Sequence, residues 1–136
     1  QTLRQIEFAL FDLNIHATSP ALDAQGIQST LDQIRAQFSV VPSVAYNRFQ
    51  HSFSHIFAGG YAAGYYSYKW AEVLASDAFD RFEHEGIFNT QTGQEFRQAV
   101  LAVGGRDSAL EAFVNFRGRE PKIDALLRHQ GWTNNA

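Results

Sequence analysis

The sequence predicts an all-α fold. Apolar residues recur at three- and four-residue spacing in several separate segments, and no segment shows the sustained alternation of a half-buried strand. The chain has 136 residues, of which 45% are hydrophobic and 18% are charged, and it contains 12 phenylalanines. This composition is typical of one globular domain with a substantial core. We therefore expect residues 1–136 to form a single helical segment without an internal repeat.

Two helices are predicted in the first forty residues. A helix from Thr2 to about His16 carries two apolar stripes, and a helix that is apolar on two sides is usually buried between other elements. The second helix, from Ile27 to Phe38, ends before Pro42, because proline disfavours helical geometry in the residue before it. The stripes of the first helix are Leu3, Ile6, Leu10 and Leu13 on one side and Phe8, Phe11 and Ile15 on the other.

The strongest helical pattern runs from about Ala62 to His84. Residues 44–48 are predicted to form a loop, and a short helix or turn follows, where phenylalanines recur every four residues. Gly59 and Gly60 are predicted to end that turn, because glycine opens backbone conformations that other residues avoid. Gly86 is predicted to stop the long helix. Its predicted core face consists of Tyr66, Trp70, Val73, Leu74, Ala78 and Phe82.

Three shorter helices are predicted after the long one. The first two span 92–103 and 108–116; one is predicted to end at Gly104 and the other near Gly118. Pro121 is predicted to lie in the first turn of the last helix, where its missing N–H would have no intrahelical partner to lose. Gly131 is predicted to end it.

Charge and composition exclude several classes of function. Eleven basic and 14 acidic residues give a net charge of −3, without the basic excess of a nucleic-acid binder. No run approaches the roughly 18 apolar residues of a membrane span. Cysteine is absent, which excludes disulfides, cysteine-bound zinc and thiol catalysis and is compatible with a reducing compartment; we expect the cytoplasm. The chain opens on Gln1 in helical periodicity, so we expect it to be a piece of a longer protein.

A group of tyrosines is the first candidate site. Tyr61, Tyr65 and Tyr68 are four and three residues apart, which places them on one face of a helix, opposite Tyr66. A row of phenol donors can hold a peptide carbonyl or a developing oxyanion. Alternatively, the tyrosines simply cap a buried interface. The segment from His55 to Gly64 contains three glycines, which permit close approach of a ligand and local movement.

The sequence contains no complete H-E-x-x-H zinc-binding motif. His51 and His55 are four residues apart, but Ser52 stands where the H-E-x-x-H pattern needs glutamate. The pair His84-Glu85 begins that pattern, and Phe88 stands where its second histidine belongs. We predict no metal site here, and we expect Glu83 and Glu85 to lie on a solvated helix face.

The segment from Phe53 to Trp70, with the sequence FSHIFAGGYAAGYYSYKW, resembles the glycine- and tyrosine-rich segment of the thimet oligopeptidase family of zinc metallopeptidases. Residues 3–5, 81–89 and 116–121 resemble the same family, so the resemblance covers essentially the whole chain. It implies the helical C-terminal portion of a larger zincin-type catalytic domain, whose substrates are short peptides. The zinc and its H-E-x-x-H helix would then lie upstream, outside this chain.

The resemblance also implies roles for residues of this segment. Tyr68 and His55 match catalytic positions that stabilise the tetrahedral intermediate, and Tyr61 and Tyr65 match substrate contacts. Gly59 and Gly60 would let the loop close over a bound peptide. We expect the chain to pack against the remainder of the parent domain, and by itself to lack both peptidase activity and bound zinc. Two alternatives stay open: a helical module that binds peptides without chemistry, and a purely structural domain.

Overall fold

The computed structural model describes residues 1–133; the last three residues of the expected 1–136 segment lie outside the described residues. Within this range the chain consists of helices, turns and loops, with no strand, so the all-α prediction is confirmed. The chain divides into two compact units, Gln1–Lys69 and Trp70–Ala136. Each unit has its own cluster of buried apolar side chains.

The first unit is built on two helices and a series of shorter turns. Helix α1 is Thr2–Ala17, and α2 is Ala24–Phe38. Asp23 begins α2 by accepting a hydrogen bond from the Gly26 N–H at 2.7 Å. The repeated phenylalanines form a 3₁₀ turn, Phe49–His51, and the one-turn helix α3, Ser54–Phe57.

The core of the first unit is aromatic. Phe8 stacks on Phe49 with ring centroids 4.5 Å apart, and Phe53 lies 5.3 Å from Phe8. The phenylalanine stripe of α1 therefore faces this core. The expected burial of the other stripe is wrong at Leu13, which is 37% exposed. The buried members of the cluster are Phe8, Phe11, Leu31, Ile34, Phe53, Ile56 and Tyr65.

Helix α4, Ser67–Glu85, begins five residues later than predicted. The backbone before it cannot be right-handed helix, because Ala63 has a φ of 54° and Gly60 a φ of 78°. Tyr66 therefore lies in the turn before the helix. Its predicted core position is wrong, and so is that of Trp70; the two side chains are 50% and 45% exposed. Trp70 lies one turn before Leu74, where packing against the second cluster starts.

The second unit continues from α4 through α5, Thr90–Phe96, a π-helical stretch Arg97–Leu101, α6, Ala109–Arg117, and α7, Asp124–His129. The predicted 92–103 helix thus begins earlier, because the Asn89 side chain caps α5, and it widens in its second half. Ser108 and Glu111 form a capping box at α6. The cluster here centres on Ala78, Phe113 and Phe116.

Acidic residues of α4 bind the C-terminal segment of the second unit. Asp77 is 1% exposed and accepts hydrogen bonds from Arg119 at 2.6 and 2.7 Å and from Arg117 at 3.0 Å. Asp80 accepts from Arg117 and Arg128 at 2.8 and 2.9 Å. Glu83 and Glu85 are both exposed, as the predicted solvated helix face requires, and both carboxylates are also paired. Glu83 binds Arg128 and His129, and Glu85 binds Arg81 and Thr92.

Candidate functional site

Four ring side chains of the first unit gather at the end of α3 and the start of α4. The His55 ring lies 6.3, 5.8 and 6.5 Å from the rings of Tyr61, Tyr65 and Tyr68, measured between centroids. Tyr61 and Tyr68 stack at 5.2 Å with an interplanar angle of 26°, and Tyr65 lies 5.1 Å from Tyr68. We call these four residues the tyrosine–histidine cluster. The structure therefore brings together the four ring residues that the sequence singled out.

The route by which the rings meet differs from the predicted one. Only Tyr68 lies on α4, whereas Tyr61 and Tyr65 lie in the turns before it, so the predicted shared helix face is wrong for both. The chain folds back after α3 instead. The Tyr61 N–H donates to the His55 carbonyl at 3.1 Å, and the Gly64 N–H donates to the Tyr61 carbonyl at 2.8 Å.

Exposure separates Tyr65 from the rest of the cluster. Its side chain is only 7% exposed and packs against Phe53 and Phe8 at 5.0 and 5.9 Å. Tyr61 and Tyr68 are 37% and 39% exposed, and His55 is also exposed. The outer part of the cluster is thus two stacked phenols and an imidazole that a ligand can reach, supported from below by Tyr65.

The two stacked phenols interact electrostatically. The pKa of Tyr68 is raised above its ordinary value of 10.0, first by a side-chain hydrogen bond with Tyr61 and then by desolvation and by the neighbouring phenols Tyr61 and Tyr65. A phenol with a raised pKa keeps its proton at neutral pH and can donate it in a hydrogen bond. The arrangement can therefore offer O–H donors to a carbonyl oxygen.

The two glycines before Tyr61 are required for different reasons. A Cβ atom on Gly59 would lie 2.9 Å from the His55 carbonyl oxygen and 3.0 Å from its Cα, so a side chain there would displace the His55 backbone. A Cβ on Gly60 would meet no atom within 4 Å, but its φ of 78° is in the left-handed region. Gly59 thus permits a close approach, and Gly60 permits a turn.

Sequence reasoning missed one residue that shapes the cluster, Asp12. This aspartate has no exposed surface, and its carboxylate accepts hydrogen bonds from the N–H groups of Ala63 and Tyr65, each at 2.9 Å. His16 Nδ1 lies 2.9 Å from the same carboxylate. The available signal was an acidic residue at position 12 on the apolar stripe of Phe8, Phe11 and Ile15, where burial requires a partner.

The described residues do not fit a zinc site. Among residues 1–133 there is no group of three or more histidine, cysteine, aspartate or glutamate side chains that could hold a metal ion. Within this range His51 and His55 therefore do not belong to a group of side chains that could bind a metal ion. In the same range no helix is both long enough and apolar enough to cross a membrane.

The fold and the cluster together define an all-α chain with phenol and imidazole donors on an open surface. Comparison with known proteins identifies the family of this chain. The family model described as peptidase family M3 matches residues 1–132. The chain belongs to this family.

Curated relatives agree with that assignment. The chain is 57% identical over 129 residues to oligopeptidase A of Salmonella typhimurium, covering 95% of this chain and 19% of the relative. It is 49% identical over 134 residues to a probable cytosolic oligopeptidase A of Arabidopsis thaliana, covering 96% and 19%. Saccharolysin of Saccharomyces cerevisiae is 37% identical over 134 residues, covering 98% and 19%. The chain spans about a fifth of the length of these relatives.

Proposed function

We propose that this chain is part of a zinc-dependent metalloendopeptidase that hydrolyses internal bonds of short oligopeptides. In this proposal the chain supplies the wall that binds substrate and stabilises the oxyanion. The observation that carries it is the stacking of two exposed phenols, Tyr61 and Tyr68, 5.2 Å apart beside an exposed His55. The names of the relatives support the reaction class, since two of those described above are oligopeptidases.

Each residue of the cluster has a role in this proposal. The Tyr68 hydroxyl donates a hydrogen bond to the oxygen on which negative charge develops, and His55 provides a second donor. Tyr61 hydrogen-bonds to Tyr68 and contacts the peptide. Tyr65, buried beneath Tyr68, contributes to substrate binding by supporting these rings. Gly59 and Gly60 allow the loop to close over the bound peptide.

The zinc and its ligands are assigned to the part of the parent protein outside this chain. When bound, such a metal polarises the scissile carbonyl and activates water. Residues 1–136 would then form the helical C-terminal portion of the catalytic domain and pack against its remainder. It follows that this chain by itself should neither hydrolyse peptides nor bind zinc stoichiometrically.

We further propose a cytoplasmic location for the parent enzyme. Support comes from the absence of cysteine and from the Arabidopsis relative that is named a probable cytosolic oligopeptidase A. A second Arabidopsis relative, 48% identical, is named organellar, so the location of a tagged parent protein has to be measured in its own cell. The net charge of −3 supports peptides rather than nucleic acid as the partner.

The substitution Tyr68→Phe in the parent enzyme tests the proposed function. It removes one hydroxyl and keeps the ring, so kcat for a short peptide should fall about 10²–10³-fold, since this is the usual loss for one oxyanion donor. Helical content and zinc content should not change. Tyr46→Phe is the matched control, because Tyr46 is 81% exposed and lies in a loop of the same unit.

Two results would count against the proposal. A Tyr68→Phe enzyme with nearly normal kcat would move the donor role to another residue. A wild-type parent that binds peptides without cleaving them would instead indicate a helical binding module.

A further inference from the structure

We infer that Asp12 is a positioning residue for the phenol donors: its buried carboxylate holds the turn that brings Tyr61 and Tyr65 to Tyr68. This inference rests on the proposed function, because its consequence is an effect on peptide hydrolysis. Asp12 lies in the middle of α1, 51 and 53 residues before its two backbone partners. It does not touch the exposed faces of the donors, so its action on the reaction is indirect.

Both oxygens of the carboxylate are used. Oδ1 accepts from the Ala63 N–H and Oδ2 accepts from the Tyr65 N–H, so two alternate peptide groups of one turn are bound by one side chain. His16 Nδ1 also lies 2.9 Å from Oδ1 and 2.8 Å from the Asp12 carbonyl oxygen. A fully buried carboxylate with these partners forms charge-assisted hydrogen bonds, which are stronger than neutral ones.

The turn bound by Asp12 contains a residue in an unfavourable backbone conformation. Ala63, between the two phenols, has a φ of 54°, a left-handed conformation that costs a residue with a Cβ about 1–2 kcal/mol. The hydrogen bonds from the N–H groups of Ala63 itself and of Tyr65 offset that cost and select this conformation over an extension of α4 toward Tyr61. Without them, the helix pattern of residues 62–66 would compete with the observed turn.

The position of Tyr61 against Tyr68 depends on that turn. Tyr65 is fixed by its N–H bond to Asp12, and its carbonyl accepts from the Tyr68 N–H at 3.3 Å at the start of α4. Tyr61 is fixed from the other side, because its carbonyl accepts from Gly64 N–H within the same turn. A shift of the turn therefore changes the spacing of the two hydroxyls, and a misplacement of about 1 Å can cost about 10²-fold in rate.

The substitution Asp12→Asn in the parent enzyme tests the inference. Asparagine has nearly the same shape but offers one acceptor oxygen, so its NH₂ group faces one of the two N–H donors. We expect kcat to fall about 10²-fold. The matched control is Glu7→Gln, the other buried carboxylate of α1, which is 6% exposed and binds Arg35 at 2.9 Å without contacting the turn. This control should lose stability but keep kcat.

A double variant distinguishes positioning from a general loss of structure. If Asp12 acts through the phenol donor, Asp12→Asn added to Tyr68→Phe should lower kcat no further than Tyr68→Phe does alone. Losses that multiply would overturn the inference, and so would an Asp12→Asn enzyme with wild-type kcat. If the wild-type parent cleaves no peptide, the proposed function fails first, and that result is separate from these.

Hydrogen exchange in the unmodified parent gives an answer even if Asp12→Asn does not fold. The Ala63 and Tyr65 amides should exchange slowly, because both are bound to a buried carboxylate. Exchange as fast as that of an unprotected peptide at these two amides would overturn the inference.

Discussion

The two units each contain a buried aspartate, and the two aspartates bind different kinds of partner. Asp12 in the first unit accepts from two backbone N–H groups of one turn. Asp77 in the second unit accepts mainly from the guanidinium groups of Arg117 and Arg119, with one backbone bond from Lys122 at 2.7 Å. A carboxylate that accepts hydrogen bonds from backbone N–H groups determines the path of the chain. One that accepts from guanidinium groups holds side chains in place. We therefore expect Asp12 to act on geometry and Asp77 on stability.

The two units also differ in the chemistry of the surfaces that a ligand can reach. The first unit presents hydroxyl and imidazole groups at the tyrosine–histidine cluster. The second contains a cavity of about 720 Å³ lined by apolar side chains, in which Asp107 is the one ionisable residue among the described lining residues. A cavity with a mostly apolar lining offers little to stabilise an oxyanion. The chemistry is thus expected at the polar surface of the first unit.

Acid should destabilise the second unit by protonating its paired carboxylates. Burial alone would raise the pKa of Asp77 and Asp80. The hydrogen bonds and positive charges of their partners, Arg119 and Arg128 foremost, together outweigh it, and both pKa values lie below their ordinary 3.8. The His129 hydrogen bond lowers the pKa of Glu83 below 4.5. This stabilisation is complete above the ordinary pKa values and is lost as the pH falls through the lowered ones. Because several carboxylates are protonated and lose their ion pairs together, this is the largest effect on stability that we expect.

Denaturation of this chain at a series of pH values measures that effect. Its two tryptophans, Trp70 and Trp132, both lie in the second unit, so their fluorescence reports on it. The free energy of unfolding should be level above the ordinary carboxylate pKa values and fall steeply below them. A free energy that stays level through this acid range would contradict the assigned role of the ion pairs.

A single substitution, Asp77→Asn, should give the next largest effect. It removes the negative charge that faces Arg117 and Arg119. Because Arg117 keeps its pair with Asp80, the loss of stability should stay below the roughly 3–5 kcal/mol of a buried ion pair that is broken completely. Asp107→Asn is the control, because its partner Arg106 is 72% exposed, and no measurable change is expected. In the parent enzyme, the folded Asp77→Asn protein should keep its kcat, in contrast with Asp12→Asn. A loss of kcat without a loss of stability would reverse the comparison of the two aspartates.

Substitutions at the two neighbouring glycines of the first unit should give the smallest effects. Gly59→Ala forces a Cβ against the His55 backbone and should cost about 1–3 kcal/mol. Gly60→Ala meets open space, so it should cost only the left-handed conformation, about 1–2 kcal/mol. Thermal unfolding compares the two, and peptide hydrolysis by the parent should fall more for Gly59→Ala because His55 moves. Equal losses of activity would show that His55 does not depend on this close approach. Unchanged kcat and KM in Gly60→Ala would argue against closure of the loop over peptide.

Local patterns in the sequence predicted most of the helices. The three- and four-residue spacing identified α1, α2 and the body of α4, since each helix shows one face to a core. The errors lie where a side chain far along the chain competes with local helix propensity. The helical pattern continues through residues 62–66 and predicts a core position for Tyr66, yet the left-handed Ala63 interrupts the helix there.

The sequence by itself determined the all-α class, the peptidase family and the ring residues of the cluster, because short-range spacing and a family segment are both written in contiguous residues. Tertiary structure alone decided how those rings meet, that Tyr65 lies in the core and that Asp12 holds the turn. The physical reason is the separation along the chain: an acidic residue on an apolar stripe shows that a partner is needed, but nothing in the local pattern identifies amides more than fifty residues away as that partner. Only when α1 packs against that turn does the carboxylate meet its donors.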